Sequence, residues 1–350
     1  MDKKHHLPKA NYPVTLALDA EGGDNAPGEI IAGAVQAASP DLKVLLVGRP
    51  KIIEPHLRQH DNSHVEIVPS ASVISCYQEP ASAVRSMQDS SIVVGARTVA
   101  EGRSQGFVSA GSTGAMLAAS VLLMKRVEGI KRPAILTTIP ATNGPVVFLD
   151  AGANADCKPE YLLEFAVLGV AYCRAALECP RPRVGLLNIG EEEGKGNDLA
   201  ISAYRLLKES GLDFVGNIEG RDLLLNKADV VVTDGFTGNV ALKIMEGSAS
   251  SLLARVHSMA GDAGVRGKTG GAFLRTGLRA LRSDLDPEEY GGTYLLGVQG
   301  LSIICHGNAS RHAVANALTF GAQALQRGVL QAVELEVSAI LGRTSETASS

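Results

Sequence analysis

The sequence predicts an α/β protein in which helices cover both faces of a mainly parallel β-sheet, giving three α/β/α layers. Short apolar runs alternate with longer helical segments along almost the whole chain. The run at 228–233 centres on three consecutive valines, which is typical of a strand buried on both faces. Glycine-rich loops follow four of the apolar runs, as expected where strands of such a sheet end.

Local signals separate the elements of the first half. Pro27 stands where a first helical turn begins, and Glu29 lies in that turn, where its charge suits the helix dipole. Gly48 ends the second strand, and a polar break at 89–91 interrupts a long helix. The predicted strands are 14–20, 43–47, 65–68 and 106–109, and the predicted helices are 28–38, 81–100 and 115–125.

A turn at 142–144, Thr-Asn-Gly, predicts one antiparallel hairpin at the start of the second half. Its strands are 134–140 and 145–150. Further strands are predicted at 183–189, 214–216, 228–233 and 295–304. Helices are predicted at 159–179, 199–210, 240–257, 273–281 and 311–337, with a glycine-rich loop over 261–271.

The chain has 350 residues, and 45% of them are hydrophobic, which is enough for a substantial core. We expect a single domain over 14–337, with two lobes sharing the sheet as the alternative. Residues 1–13 are expected to form a flexible leader and 338–350 a flexible tail. No signal peptide and no run of about 18 apolar residues is present, so we expect a cytoplasmic protein.

The net charge is −4 with both signs mixed, so the composition argues against a nucleic-acid partner. The five cysteines lack C-x-x-C spacing, which argues against a disulfide framework and a zinc site. A reduced compartment fits this pattern. We expect no metal and no cofactor.

The first glycine loop, D-A-E-G-G-D-N-A-P, carries Asp19 and Asp24 on either side of Gly22 and Gly23. Both carboxylates are candidate catalytic groups, and the glycines allow close backbone approach to an anion. The alternative is a tight turn in which Asp24 or Asn25 caps the next helix. A G-x-G-x-x-G pattern is missing, so a dinucleotide is not implied.

The second loop, S-A-G-S-T-G-A, offers hydroxyl groups and backbone amides before an apolar helix. That combination suits phosphate, and the loop lacks the lysine of a P-loop. A simple helix cap is the alternative explanation. The candidate phosphate-binding residues are Ser109, Gly111, Ser112, Thr113 and Gly114.

The third and fourth loops are N-I-G-E-E-E-G-K-G-N-D and T-D-G-F-T-G-N. In the third, Lys195 is a candidate phosphate contact, whereas acidic runs are usually solvated. In the fourth, Asp234 is a candidate catalytic group at a strand end, and Asn239 is either a ligand contact or a helix cap. The other candidates of this loop are Gly235 and Thr237.

His306 follows the last apolar strand and stands beside a glycine, so it is a candidate general acid or base, with a structural role as the alternative. No G-x-S-x-G elbow is present, which disfavours a hydrolase.

The segment 268–282 predicts a basic amphipathic helix that binds a membrane surface or an acidic partner. The alternative is a helix packed on the body of the protein with solvated arginines. Its candidate surface residues are Lys268, Phe273, Leu274, Arg275, Leu278, Arg279, Leu281 and Arg282.

Taken together, these segments resemble the phosphate acyltransferase family PlsX over nearly the whole chain, from Val14 to about Leu330. The resemblance rests on many long motifs in the same order. They are DAEGGDNAPGEI, SAGSTGAMLA, RPAI, LDAGAN, NIGEEEGKGN, FVGNIEGRDL, DVVVTDGFTGNVALK, EYGG with LLGVQG, and HGNAS. The fourth of them adds Asn154 to the candidate phosphate-binding residues.

The resemblance implies a fold like that of isocitrate and isopropylmalate dehydrogenases and of phosphotransacetylase, in a homodimer. It implies conversion of acyl-[acyl carrier protein] and inorganic phosphate to acyl phosphate and free carrier protein, in bacterial phospholipid synthesis. The product would pass to the membrane glycerol-3-phosphate acyltransferase PlsY, with peripheral membrane contact as a further expectation. We hypothesise that the second loop holds phosphate with Lys195 as countercharge, that the three aspartates orient donors, and that His306 protonates the leaving thiolate.

Three other functions stay open at this point. They are a phosphotransacetylase-type enzyme using acyl-CoA, a metal- and NAD-dependent hydroxyacid dehydrogenase of the same fold, and a non-enzymatic scaffold at a membrane surface. The sequence shows neither a nucleotide-binding signature nor the clustered aspartate ligands that the first two would favour.

Overall fold

The computed structural model describes residues 13–58, 60, 62–262 and 292–347. The strands in these ranges are β1 (Val14–Asp19), β2 (Leu42–Gly48), β3 (Val65–Pro69), β4 (Gly106–Ser109), β5 (Ala134–Ile139), β6 (Val146–Leu149), β7 (Val184–Asn188), β8 (Phe214–Glu219), β9 (Val230–Val232), β10 (Thr293–Leu296) and β11 (Leu301–Ile304). The α-helices are α1 (Gly28–Ala37), α2 (Pro50–Leu57), α3 (Pro80–Ser86), α4 (Ser91–Ala100), α5 (Thr113–Ala119), α6 (Pro159–Ala176), α7 (Asp198–Glu209), α8 (Gly235–Asp262), α9 (Arg311–Gln326) and α10 (Val329–Thr347). A short π-helix at Ser120–Met124 extends α5, and a short 3₁₀-helix at Gly220–Leu224 follows β8.

These strands form one sheet in the order β3-β2-β1-β4-β11-β10-β5-β6-β9-β7-β8. Strands β1 to β4 and β11 are parallel to one another, and so are β6 to β9. Between these halves, three successive antiparallel pairings link β11, β10, β5 and β6. An odd number of reversals makes the two halves run in opposite directions, so their strands end at opposite edges of the sheet.

Alternation along the strands builds a core on each face of the sheet. On β1, Leu16 and Leu18 join the core beneath α1, α6 and α9, whereas Ala17 faces the opposite core with Phe107 of β4. All four side chains are buried. The predicted three-layer α/β/α architecture is therefore confirmed.

Helix α1, near the beginning of the described chain, packs on α9, near its end. Glu29 of α1 accepts hydrogen bonds from the backbone and the guanidinium of Arg311, at the start of α9. These bonds hold the pKa of Glu29 down, at about 2. Ser310 caps α9 by accepting a hydrogen bond from the Ala313 N–H. The contact brings the loop after β11 beside the loop after β1.

Several predicted elements differ from the structure. The single strand expected at 295–304 is a hairpin, β10 and β11, because Gly297 and Gly300 take positive φ angles and turn the chain. The helix expected at 81–100 is two helices, α3 and α4, divided at the polar break. Helix α2 was not predicted, since it contains Pro55.

Helix α8 extends the helix expected at 240–257 in both directions, and it includes the first residues of the predicted 261–271 loop. Helix α10 runs on to Thr347, into the segment expected to be a tail. The rest of that loop, the basic segment 268–282 and nearly all of the leader lie outside the described residues. Within the described ranges, none of the helices is both long and apolar enough to cross a bilayer.

Candidate active site

The loops after β1, β4 and β11 meet around the buried carboxylate of Asp19, and we call this group the first loop cluster. The Ser109 hydroxyl donates to Asp19 Oδ2 at 2.8 Å, and the Glu21 N–H donates to Oδ1 at 3.2 Å. Ser109 Oγ in turn accepts the Gly111 N–H at 2.9 Å. Complete burial raises the pKa of Asp19 above its usual range. One carboxylate therefore ties two glycine loops together.

Glycines permit this close approach of backbone to backbone. A Cβ atom on Gly22 would lie 2.9 Å from the Gly111 nitrogen. Gly23 has a φ of +97°, and a Cβ there would lie 2.8 Å from the Gly307 carbonyl oxygen. That carbonyl accepts the Asp24 N–H at 2.6 Å. The loop that carries His306 is thus fastened to the loop after β1.

His306 lies at the edge of the first loop cluster with 41% of its side chain exposed. Its Nε2 atom is 3.9 Å from Oε1 of Glu246 on α8. Glu246 comes eleven residues after Gly235, the first residue of α8. At 1.5 Å per residue, His306 lies about 16 Å along the helix from its N-terminus.

A second loop cluster lies at that N-terminus, around the buried carboxylate of Asp150. Its Oδ1 accepts the N–H groups of Ile135 at 3.0 Å and Ala153 at 3.0 Å. Its Oδ2 accepts the backbone N–H of Asn154 at 2.7 Å and the side-chain amide at 2.8 Å. The Asn154 carbonyl accepts the Gly235 N–H at 2.7 Å, which joins the loop after β6 to α8. Burial raises the pKa of Asp150.

Asp234 caps α8 within the second loop cluster. Its Oδ1 accepts the Thr237 N–H at 2.9 Å, and its Oδ2 accepts the Thr237 hydroxyl at 2.7 Å. The cap that the sequence offered to Asn239 as an alternative is thus made by Asp234. Asn239 instead lies against Gly152, where a Cβ would be 3.5 Å from its side chain. Its amide remains beside the loop after β6.

The four glycine loops fall into two groups in this chain, because the strands of the two halves of the sheet end at opposite edges. The first loop cluster brings together Asp19, Gly22, Gly23, Asp24, Ser109, Gly111 and His306. The second brings together Asn154, Asp234, Gly235, Thr237 and Asn239. Lys195 follows β7 at the same edge as the second cluster, with its Nζ atom 3.8 Å from Glu192.

Two hydroxyls of the second glycine loop form hydrogen bonds within the protein. Ser109 gives its proton to Asp19, and Ser112 caps α5 by accepting the Ala115 N–H at 3.3 Å. Thr113 is exposed, and Gly114 lies against Pro80. Ser109 thus gives its hydroxyl proton to the protein, whereas Ser112 acts only as an acceptor in its cap. Phosphate binding by this loop stays a prediction.

Asp150 was not among the candidates from sequence, although it anchors the second loop cluster. One signal could have found it: Leu-Asp-Ala follows strand β6 as it follows β1 around Asp19. No group of three His, Cys, Asp or Glu side chains suited to a metal ion occurs among the residues that the structure describes.

The fold is similar to that of the phosphotransacetylase class of α/β proteins. A phosphotransacetylase from Streptococcus pyogenes matches with a TM-score of 0.59 and 15% identity, covering 89% of this chain and 94% of that one. The EutD phosphotransacetylase from Staphylococcus aureus matches with a TM-score of 0.57 and 18% identity, over 89% and 94% of the two chains. At such identities the likeness concerns the fold.

Sequence comparison defines the family. The family model described as "Fatty acid synthesis protein" matches residues 14–332. The phosphate acyltransferase of Heliobacterium modesticaldum is 47% identical over 323 residues, covering 91% of this chain and 96% of that protein. That of Moorella thermoacetica is 44% identical over 320 residues, covering 91% and 94%. The chain belongs to the phosphate acyltransferase (PlsX) family, and it is an acyltransferase.

The first prediction concerns Asp150. Asp150→Asn turns one oxygen into an amide donor facing backbone N–H groups, so it should lower the free energy of unfolding by about 1–3 kcal/mol. Urea denaturation measures the change. Asp41→Asn, at an exposed aspartate, is the control and should leave stability within about 0.5 kcal/mol. Equal stability of the two variants would contradict the anchoring role of Asp150.

Proposed function

We propose that this enzyme converts acyl-[acyl carrier protein] and inorganic phosphate reversibly to acyl phosphate and free carrier protein. Family membership over residues 14–332 is the observation that carries this proposal. In the reaction a phosphate oxygen forms a bond to the thioester carbonyl carbon, the carbon–sulfur bond breaks, and the sulfur leaves as a thiolate that takes a proton. Positioning and stabilisation of the oxyanion are the main tasks of the protein.

We propose that phosphate binds at the second loop cluster. The N-terminus of the long helix α8 favours an anion there. The exposed Asn239 side chain supplies a polar group, and Lys195 lies at the same sheet edge. Asn154 and Thr237 shape the loops by donating to Asp150 and Asp234. Asp150 and Asp234 act by orienting donors, because their oxygens already accept hydrogen bonds from the protein.

The first loop cluster is about 16 Å from this point, so His306 does not reach a thiolate formed beside the α8 N-terminus. We therefore propose that the first loop cluster binds the carrier side of the substrate. The long prosthetic arm of a carrier protein can extend from there along α8. The acid role expected for His306 from sequence stays the alternative, and kinetics of a His306 variant distinguish the two roles.

The cellular setting follows the same family resemblance. We propose that the acyl phosphate is consumed by the membrane acyltransferase PlsY in phospholipid synthesis. The basic segment 268–282 would contact the acidic carrier protein or an anionic membrane surface from the cytoplasmic side.

We also propose a homodimer that buries the outer face of α8. Phe236, Val240 and Ile244 recur every four residues along one face and are 67%, 43% and 62% exposed. Such a stripe on a described helix suits an isologous contact with a second copy.

Thiol release tests the reaction. The purified protein should release thiol from acyl-[acyl carrier protein] only when phosphate is added, and form acyl phosphate in equal amount. Acyl-CoA under the same conditions is the matched alternative substrate. Phosphate-dependent thiol release from acyl-CoA but not from acyl-[acyl carrier protein] would support a phosphotransacetylase-type activity. No release from either thioester would refute both of these enzymatic functions.

His306→Ala tests the proposal that the first loop cluster binds the acyl carrier whereas the second binds phosphate. We expect the KM for the acyl carrier to rise about 2- to 10-fold, as for one lost hydrogen bond. The kcat at saturating substrate should change less than about 10-fold, and the exposed His60→Ala should change neither constant. A fall in kcat of about 100-fold or more would instead identify His306 as the general acid.

Ile244→Glu tests the dimer. Placing a charge at this position in both copies should raise the dissociation constant of the dimer by at least about 100-fold. Sedimentation over a concentration series measures it. Leu335→Glu changes a side chain of similar exposure, 60% against 62%, on α10 and should leave the association unchanged. Equal effects of the two substitutions would contradict the α8 interface.

A further inference from the structure

A buried glutamate holds the segment that enters β5. Glu164 of α6 is 2% exposed, and its Oε2 accepts the backbone N–H of Lys131 at 2.8 Å and of Arg132 at 3.1 Å. Burial raises the pKa of Glu164, although the two N–H groups favour its charged form. A carboxylate so deeply buried is costly unless it is bonded, so this contact fixes the backbone of residues 131 and 132 on α6.

The same helix positions the side chain of Arg132. The guanidinium carbon lies 5.8 Å from the ring centroid of Tyr161, also on α6. Arg132 is exposed, and no carboxylate of the described residues lies within ion-pair distance of it. Glu164 thus holds the backbone of Arg132 and Tyr161 contacts its side chain, while the guanidinium has no counter-ion in the described part of the chain.

Arg132 stands at the second loop cluster. The next residue, Pro133, offers its carbonyl to the Asn154 side chain at 2.8 Å. The pKa of Cys157 responds both to Arg132 and to the carboxylates of the second loop cluster. Burial raises the pKa of Cys157 to about 11, the nearby Asp150 and Asp234 carboxylates raise it too, and Arg132 lowers it. Arg132 and both carboxylates are therefore within electrostatic range of Cys157, and the bond from Asn154 to Pro133 joins the segment of Arg132 to the second loop cluster.

We propose that Arg132 is the cation that binds inorganic phosphate at the second loop cluster, and that Glu164 is the residue that positions it. This inference rests on the proposed function. The cluster otherwise carries the negative charges of Asp150 and Asp234, so an anion needs a cation there. A guanidinium fits two phosphate oxygens through parallel N–H bonds. Lys195, the countercharge expected from sequence, already lies beside Glu192.

Steady-state kinetics with varied phosphate test the inference. Arg132→Ala should raise the phosphate KM about 10- to 100-fold with a much smaller change in the KM of the thioester. Arg132→Lys should recover part of the loss, because it keeps the charge and loses the paired N–H geometry. Arg205→Ala, on the exposed face of α7, is the control and should resemble the unaltered enzyme.

Glu164 is tested through its coupling to Arg132. Glu164→Leu should raise the phosphate KM, and Glu164→Gln, whose oxygen still accepts the amide protons, should raise it less. The double variant Arg132→Ala, Glu164→Leu should be no worse than Arg132→Ala alone, since both remove the same contact. Thermal melts identify variants that do not fold. Additive effects of the two substitutions would overturn the positioning role.

Direct binding separates this inference from the proposed function. Titration calorimetry of the full chain with inorganic phosphate should show binding that Arg132→Ala weakens. If no thioester is cleaved but phosphate still binds through Arg132, the reaction is refuted and the site stands. If the enzyme is active and Arg132→Ala leaves both phosphate binding and the phosphate KM unchanged, the site is refuted.

Discussion

The architecture of both loop clusters depends on a carboxylate buried at the end of a strand. An ionised carboxylate without hydrogen bonds is very costly inside a protein, so each must collect donors from whatever backbone lies near it. Asp150 gathers donors from β5 and from its own loop, and Asp19 gathers them from the loops after β1 and β4. The surrounding loops must therefore approach closely, which Gly22 and Gly23 permit.

The second constraint is topological. Three antiparallel pairings in the middle of the sheet reverse the direction of its second half, and the strand ends separate to opposite edges. Helix α8 is the element that connects these edges, since it begins beside Asp150 and carries Glu246 to His306. A reaction between two atoms needs them about 3 Å apart, which is why we propose that the chemistry belongs to the second loop cluster and that the first serves binding.

Sequence patterns predicted most strands and the layered architecture, because burial on both faces leaves a strong local signal. They failed where a distant contact decides the structure. The reversal at Gly297 cannot be distinguished from a continuous strand by hydrophobicity, since both strands of the hairpin are buried. Glu164 has no local signal either, because a glutamate within an apolar helix becomes an anchor only when the chain returns to it from residues 131 and 132.

The charges at the second loop cluster also bear on turnover. Asp150 and Asp234 accept hydrogen bonds from the protein and so hold the loops of the site in place. Their negative charges repel any anion that lacks a compensating cation. One guanidinium with backbone amides gives modest attraction, and the reactant phosphate and the acyl phosphate product present similar oxygens to it. Stronger binding of these shared oxygens would stabilise substrate and product as much as the transition state, and it would slow release. A single arginine beside the buried Asp150 and the partly exposed Asp234 is therefore suited to a nucleophile that must be held briefly and leave as part of the product.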